Sequence, residues 1–430
     1  MRFSTLAEWL AWFETLHPKL IDMSLDRIRV ILDTLGLREP PYRVITVGGT
    51  NGKGSCVAIL ESVYRHAGYK VGAFTSPHLW RFNERVRFDG EDATDAELIA
   101  VFEAIDASLG GITLSYFEAS AVAALLHFKR EAADVAVLEV GMGGRLDAVN
   151  ALDADAALIT SVALDHMEWL GGDRETIGRE KAGIMRGGRA AVIGEPDPPA
   201  SLVAHAREVG ADLKILGRDY TLRRDAFGWT YEAQDVRREG LPAIAFGTDV
   251  QYANAAACVE VVESLRAVLP VAENALRAGL ANARLRGRAE RHVRGGVEWI
   301  FDVAHNPAAA AVLKQRICAE PFTGRTYAVF AAMLDKDLDG VLASFVPLVD
   351  RWYLAQSDTE RAAPAGRLLE VLRELGAAHA AGYADVASAG AAAEADAKPG
   401  DRVLVFGSFY TVGPALKALG LYSTPSAMGD

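Results

Sequence analysis

The sequence predicts an α/β fold: a mainly parallel sheet flanked by helices, with a small antiparallel β part, followed by a second, smaller α/β domain. Three observations carry this. Short apolar runs, "RVITVGG", "YKVGAF", "ADVAVLEV", "DAALITSV" and "AAVIG", alternate with longer runs rich in alanine, leucine and charge, as strands covered by helices do. Near residues 215–250 the pattern turns to "LGRDYTLRRDAFGWTYEAQDV", where aromatic and polar residues intermix as in antiparallel hairpins. After "ALRAGLANARLRGRAERH" a second alternation begins with "VEWIFDVAHN" and continues through "RTYAVFAAM", "DRWYLAQ" and "DRVLVFGSF".

At 430 residues the chain exceeds what one hydrophobic core usually covers. The expected division is a first domain over 1–280, a linker over 281–290 and a Rossmann-like second domain over 291–430. "AGYADVASAGAAAEADAKPG" is alanine-rich yet charged and is expected to form one surface helix and a loop. The opening "MRFSTLAEWLAWFETLHP" carries Glu8 and Glu14 where a secretory signal has a basic head, and it fits an amphipathic first helix. No apolar run is long enough to span a bilayer. Cys56, Cys258 and Cys318 show no paired spacing, which argues against a disulfide framework or a structural zinc site. A net charge of −12 argues against nucleic-acid and anionic-membrane partners. The expectation is a cytoplasmic protein, and a monomer because no coiled-coil seam or exposed apolar stripe is evident.

The segment "VITVGGTNGKGSCVAIL", residues 44–60, joins a strand to a helix through a glycine-rich turn. A strand ending at Gly48 and Gly49 and a helix beginning near Lys53 aim backbone N–H groups and a helix N-terminus at one point, which attracts phosphate. Against the common loop G-x-x-x-x-G-K-[ST], Val47 stands where the first glycine belongs and Gly54 where the hydroxyl belongs, with Ser55 one place later. An ordinary strand-to-helix turn is the alternative, and Lys53 weighs against it. Ser76, Glu139 and His166 each follow a predicted strand, where an open parallel sheet gathers its ligands. A hydroxyl, a carboxylate and an imidazole suit a magnesium ion that keeps waters and phosphate oxygens. Taken singly, Ser76 before Pro77 also suits a turn cap, Glu139 a buried pair with an arginine such as Arg145, and His166 a hydrogen-bonded core position. Lys181 in "TIGREKAGIMR" has, by spacing alone, the look of an exposed helical lysine beside Glu180 and Arg179. In the second domain Arg288 can fork onto phosphate and Asp302 can accept from a ribose or adenine group. The alternatives are a surface ion pair and a cap for the helix near Pro307.

The stretch G-T-N-G-K-G-S (49–55) is similar to the variant phosphate loop of the Mur ligase superfamily, and the chain resembles folylpolyglutamate synthase and dihydrofolate synthase within it. "FTSPHLWRFNERV" (74–86), "LEVGMGGRLDAVN" (138–150), "SVALDHMEWLG" (161–171) and "REKAGIMR" (179–186) agree in order and spacing, as do "RGRAE" and "FDVAHNP". The resemblance runs from about residue 20 to "GSFYTVGP". It implies that Gly49, Thr50, Asn51, Gly52, Lys53, Gly54 and Ser55 bind ATP together with Asn254, Arg288 and Asp302. It further implies that Ser76, Glu139 and His166 hold a magnesium ion on the β and γ phosphates, and that Lys181, as a carbamyl-lysine, holds a second one. Lys53, Lys181 and His166 become the catalytic set. "LIDMSLDR" (20–27) resembles the pterin-binding segment, which implies pterin contacts at Asp22, Met23 and Ser24, joined by Ser115 in "LSYFEAS" and by Leu146, Asp147 and Ala148 in "RLDAVN". Ser24 departs from a frequent glycine and Val149 from a usual threonine. Ser115 also suits a helix N-terminus.

The implied activity is ATP-dependent addition of L-glutamate to dihydropteroate and to the glutamate tail of reduced folates, through an acyl phosphate. A cell-wall Mur ligase would carry a UDP-sugar domain ahead of the loop, whereas here one or two helices are expected before residue 44. A simple P-loop ATPase or kinase leaves the second domain unexplained. A non-catalytic nucleotide-binding regulator conflicts with the intact Ser76, Glu139, His166 and Lys181. His305 and the 333–340 loop receive no role.

Overall fold

The computed structural model describes residues 2–19, 22–225, 228–244 and 247–422. Leu20 and Ile21 of the pterin-like segment lie outside the described residues. So do positions 226–227 and 245–246 of the expected hairpin region and positions 423–430 of the expected second domain. The chain divides into two compact units, one holding the residues up to Pro77 and Phe82–Arg284, the other His78–Arg81 and the chain from Leu285 onward.

Among the described residues the first unit is built on strands β1 (Arg43–Gly48), β2 (Val71–Phe74), β3 (Val86–Phe88), β4 (Glu91–Asp92), β5 (Val135–Glu139), β6 (Ala156–Ile159), β7 (Ala190–Ile193) and β8 (Asp212–Ile215). Their order is β4-β3-β2-β5-β1-β6-β7-β8, parallel from β2 to β8, with β3 and β4 running back at one edge. Strands β1, β2, β5, β6 and β7 coincide with the five apolar runs. The edge strands β3, β4 and β8 were not expected, being short and, in β4 and β8, polar. A separate three-stranded antiparallel sheet follows, β9 (Tyr220–Asp225), β10 (Gly228–Ala233) and β11 (Arg237–Leu241), with Tyr220, Trp229 and Tyr231 buried.

The helices of this unit are α1 (Leu6–Leu16), α2 (Asp26–Thr34), α3 (Lys53–His66), α4 (Asp95–Ser108), α5 (Tyr116–Arg130), α6 (Met167–Leu170), α7 (Arg174–Ala182), α8 (Ala200–Val209), α9 (Asp249–Ser264) and α10 (Glu273–Asn282). Helix α1 starts in a capping box, Thr5 with Glu8, and buries Trp9 and Phe13 against Phe102 of α4. Among the described residues no helix is long and apolar enough to cross a membrane. Leu164, Met167 and Trp169 are exposed together around α6, a small apolar patch where none was expected. The three cysteines are free thiols, but Cys56 of α3 and Cys258 of α9 are buried neighbours, with the Cys258 thiol donating to the Cys56 carbonyl at 3.6 Å. Their separation in sequence hides that contact.

The second unit holds β12 (Glu290–Arg294), β13 (Val297–Asp302), β14 (Thr326–Phe330), β15 (Arg351–Ala355), β16 (Ala380–Tyr383) and β17 (Arg402–Phe406) in the order β12-β13-β17-β14-β15-β16, parallel except for β12. Its helices are α11 (Pro307–Cys318), α12 (Leu338–Ala343), α13 (Ala365–Glu374), α14 (Val386–Asp396) and α15 (Phe409–Ala418). The alanine-rich stretch expected as one surface helix and loop instead begins with strand β16. Its helix, α14, buries Val386, Ala389 and Ala393, because small residues at helical spacing allow close approach to the sheet.

Helix α3 carries the phosphate-type turn at its start, and α10 locks it from behind. Ser62 Oγ donates to the Gly279 carbonyl at 2.8 Å, and a Cβ added at Gly279 would stand 2.4 Å from Val63 Cα. The close approach leaves no room for a methyl group. Gly279→Ala is therefore expected to lower the unfolding free energy by about 1–3 kcal/mol in a urea titration; wild-type stability would show that the helix pair yields freely.

Candidate active site

Between β1 and α3 the chain reverses within four residues. Gly49 has φ 138, and a Cβ there would lie 1.9 Å from Thr160 Oγ1, so only glycine fits. The turn is sewn to the segment leaving β6. The Thr50 N–H donates to the Ser161 carbonyl at 2.7 Å, Thr50 Oγ1 accepts the Ala163 N–H at 3.0 Å, and Thr160 Oγ1 donates to the Asn51 carbonyl at 2.6 Å. Gly52 caps α3 at φ 91 with no side-chain capping bond, which leaves the first-turn N–H groups of Lys53, Gly54 and Ser55 suited to an anion. Ser55 Oγ is buried and has no hydrogen-bond partner. Asn254 of α9 abuts the turn: its Nδ2 lies 2.6 Å from where a Gly52 Cβ would stand and donates to Gln251 Oε1 at 3.2 Å.

Two lysines meet at this turn. Lys53 Nζ donates to the carbonyls of Gly49 and Thr50, both at 3.2 Å, and Lys181 Nζ reaches the same Gly49 carbonyl at 2.9 Å. Lys181 is 3% exposed, which corrects the exposed helical lysine suggested by spacing: the last turn of α7 faces inward. Burial, and then the Lys53 charge, bring the Lys181 amine down to about 7. Gly49, Thr50, Lys53 and Lys181 line a cavity with Val140, Gly141, Met142 and Gly143 after β5 and with Asp165, His166 and Leu170.

His166 adopts the left-handed conformation at φ 51, and its N–H donates to Asp165 Oδ1 at 2.9 Å. Its side chain is 44% exposed, so it is not a core histidine. Glu139, the last residue of β5, sits opposite Val47 of β1 and is 5% exposed. It accepts the Ser76 N–H at 3.2 Å. Arg145 pairs instead with Glu180 at 2.9 Å.

Among the described residues no three His, Cys, Asp or Glu side chains gather as a metal cage. Magnesium takes one or two protein carboxylates and fills its shell with water and phosphate oxygens. A buried carboxylate at Glu139 beside Ser76, together with the unpartnered Ser55 hydroxyl, fits such a sparse set.

A second cluster lies at the starts of α2 and α5. Asp22 Oδ2 accepts from His17 Nε2 at 3.2 Å and from Arg27 at 2.8 Å, with Lys19 at 3.7 Å. Burial works against the Asp22 charge, yet the His17 hydrogen bond and the Arg27 and Lys19 charges hold its carboxyl below the ordinary range. Ser115 caps α5 in a capping box with Glu118, and the other Arg27 nitrogen reaches Glu118 at 3.1 Å. The structure thus joins Asp22 to Ser115 through Arg27 and Glu118. Met23 Cε lies 3.9 Å from the position of a Gly143 Cβ, beside the cavity wall. Ser24 Oγ accepts the Asp26 N–H at 3.2 Å at the start of α2.

Asp147 accepts the N–H groups of Met142 at 2.9 Å and Val149 at 3.1 Å, and burial pushes it up to about 6 against those donors. It braces the glycine loop that lines the cavity. Leu146 is half-buried, while Ala148 and Val149 are core residues. Arg27, Glu118, His17, Asp165 and the 140–143 wall escaped sequence reasoning. Only Glu118 had a local signal, standing three residues after Ser115 as a capping box requires.

In the second unit Asp302 ends β13 and accepts the N–H groups of Ala289 and Ala304, both at 2.8 Å. Burial raises its carboxyl and the Arg288 charge opposes that. The Arg288 guanidinium stands 5.9 Å from the Phe409 ring centroid. The cap of α11 is Asn306, which accepts the Ala309 N–H at 2.9 Å, so Asp302 is not that cap. His305 Nδ1 meets the Val303 carbonyl at 2.9 Å. In the 333–340 loop Asp337 caps α12 and Asp335 pairs with Arg361 at 2.9 Å.

The family model of the Mur ligase middle domain matches residues 47–219, and that of the Mur ligase glutamate ligase domain matches residues 287–409. Over 417 residues the chain is 44% identical to the dihydrofolate synthase/folylpolyglutamate synthase of Escherichia coli strain K12, across 97% of this chain and 96% of that one. E. coli FolC in complex with DHPP and ADP aligns at a TM-score of 0.90 and 43% identity, covering 97% of this chain and 98% of that one. The bifunctional folylpolyglutamate synthase/dihydrofolate synthase from Yersinia pestis, complexed with AMPPNP and Mn ion, aligns at 0.89 and 42% identity, covering 97% and 98%. Likeness of this extent over both units, in sequence and in fold, makes the chain a member of the dihydrofolate synthase/folylpolyglutamate synthase family of Mur ligases.

Proposed function

We propose that the chain is an ATP-dependent ligase that joins L-glutamate to dihydropteroate, giving dihydrofolate, and to the glutamate tail of reduced folates. The observation that carries this is the convergence of two lysines on the Gly49 carbonyl at the start of α3, in a chain that matches dihydrofolate synthase/folylpolyglutamate synthases along 97% of its length. A carboxylate is a poor electrophile toward an amine at neutral pH. ATP therefore phosphorylates it first, the γ-phosphoryl passing to a carboxylate oxygen with ADP leaving. The amine of glutamate then adds to the acyl carbon and expels phosphate.

In this mechanism the turn from Gly49 to Ser55 cradles the phosphates with its N–H groups and Lys53, which offsets charge on the transferred phosphoryl group. Asn254, Arg288 and Asp302 are assigned to ATP. Ser76, Glu139 and His166 would hold a magnesium ion, and Lys181 a second one once carbamylated. The metal, when bound, supplies Lewis-acid stabilisation of phosphate oxygens. Support comes from relatives solved with ADP and with AMPPNP and Mn. A lysine amine brought to about 7 has an accessible neutral form, the form that adds to carbon dioxide; the product is an anion and a ligand. Asp22, Met23, Ser24, Ser115, Leu146, Asp147 and Ala148 are assigned to the pterin. The net charge of −12 suits a cytoplasmic monomer acting on small molecules.

The deciding assay is ADP release with ATP, magnesium and L-glutamate. Release with both dihydropteroate and tetrahydrofolate is expected; silence with both, in protein that binds ATP, would overturn the proposal, and release with only one would restrict it. Lys53→Ala is expected to lower turnover by on the order of a hundredfold or more, and near-normal turnover would remove Lys53 from the phosphate-binding role. Carbon-13 NMR of protein equilibrated with labelled bicarbonate should show a carbamate resonance that Lys181→Met abolishes; a wild-type spectrum without it rules out the modification.

A further inference from the structure

We infer that Arg27 is a positioning residue for the acceptor: it holds the Asp22 carboxylate and the start of α5 in the one arrangement that receives the pterin ring. This rests on the assignment of Asp22 and Ser115 to that ring. The guanidinium reaches in two directions. One nitrogen donates to Asp22 Oδ2 at 2.8 Å, and the other donates to both oxygens of Glu118 at 3.1 and 3.2 Å. Glu118, whose side chain is 4% exposed, accepts the Ser115 N–H on Oε2 at 2.8 Å and returns its own N–H to Ser115 Oγ at 3.3 Å. A continuous path therefore runs from Asp22 through Arg27 and Glu118 to Ser115, linking segments 91 residues apart.

The charges require such a link. Asp22 and Glu118 share a single guanidinium, and without its charge between them two carboxylates would face each other. A planar fork engages both at once, which a lysine ammonium does not do with fixed geometry. His17 adds a second tie to the same Asp22 oxygen and anchors itself on Thr113 Oγ1 at 2.8 Å; Lys19 also approaches Oδ2. The Arg27 and His17 hydrogen bonds both fall on Oδ2 and hold the carboxylate; in the proposed site its other oxygen would be the acceptor for the N–H donors of the ring. Arg27 Nε is buried with no partner. Such an orphan is unfavourable and marks a site shaped for more than stability.

The test is steady-state ADP release by Arg27→Lys and Arg27→Met, varying dihydropteroate, tetrahydrofolate and ATP in turn, with thermal midpoints measured alongside. Arg27→Lys is expected to raise KM for both pterin acceptors about tenfold or more, with kcat and the KM for ATP changed by less than about threefold. Arg27→Met should move the same parameter further. Unchanged acceptor KM in Arg27→Lys would overturn the inference. So would a parallel rise in the KM for ATP with a falling midpoint, the mark of a purely structural role. Should Arg27→Met fail to fold, Arg27→Lys alone decides. Asp22→Ala separates the two levels: if it too leaves acceptor KM at the wild-type value, the pterin assignment falls and this inference with it, whereas a raised KM there with an unchanged one in the Arg27 variants removes only Arg27.

Discussion

One backbone carbonyl, that of Gly49, organises the catalytic side of the first unit. It accepts from Lys53 at 3.2 Å and from Lys181 at 2.9 Å, using the two lone pairs a peptide oxygen offers. Two ammonium groups drawn to one oxygen repel each other, and the less solvated one yields its proton more readily. Lys181 is the buried partner, and burial together with the Lys53 charge brings its amine to about 7. The arrangement exists only because Gly49 lacks a side chain where Thr160 presses on the turn. The charge on one lysine and the chemistry of another thus depend on the conformation of a single glycine.

Sheet order then determines what surrounds that carbonyl. β2, β5, β1 and β6 are consecutive in the sheet. At their carboxyl ends lie, in the same order, Ser76, Glu139, the phosphate-type turn, and the segment leading to Asp165 and His166. Residues far apart in the sequence, 63 positions for Ser76 and Glu139 and 113 for Thr50 and Ala163, become neighbours because parallel strands all open toward one edge. Helix α7 closes the arrangement from outside the sheet: the Arg145 N–H donates to the Glu180 carbonyl at 2.8 Å, pinning the turn that delivers Lys181.

The parts of this fold legible in the sequence are those whose determinants are local. Long apolar runs became the central strands, and the glycine-rich turn before Lys53 became a helix N-terminus. Lys181 was illegible from spacing because Glu180 and Arg179 beside it describe a solvated face, while its burial comes from the 143–145 segment packing on the end of α7; a Cβ at Gly144 would sit 2.9 Å from the Glu180 carbonyl. Strands β4 and β8 are too short and polar to carry a period. Asp22 and Ser115 stood out only by resemblance, and the Arg27 to Glu118 contact joining them had no periodic signal at all. Nothing in a linear pattern distinguishes an arginine facing solvent from one spanning two carboxylates.

Around the cavity several local preferences are broken at once. His166 holds a left-handed conformation that costs a non-glycine residue about 1–2 kcal/mol, Ser55 buries an unpaired hydroxyl, Lys181 buries an amine, and Asp147 buries a carboxylate whose charge is supported by backbone donors and, less strongly, by the Lys53 charge. Scattered over the unit, such features would mark poor packing, but here they gather at the strand ends. The core behind them, with Trp9, Phe13, Phe74 and Phe102 fully enclosed, supplies the stability that lets them persist. The anion proposed for this turn would relieve several of these costs together: it would accept from the first-turn N–H groups and Lys53, and it would offer the Ser55 hydroxyl a partner. Binding such a ligand would therefore stabilise the turn as well as occupy it, so that on the proposed reading the rigidity of the turn and its affinity for phosphate would come from the same contacts.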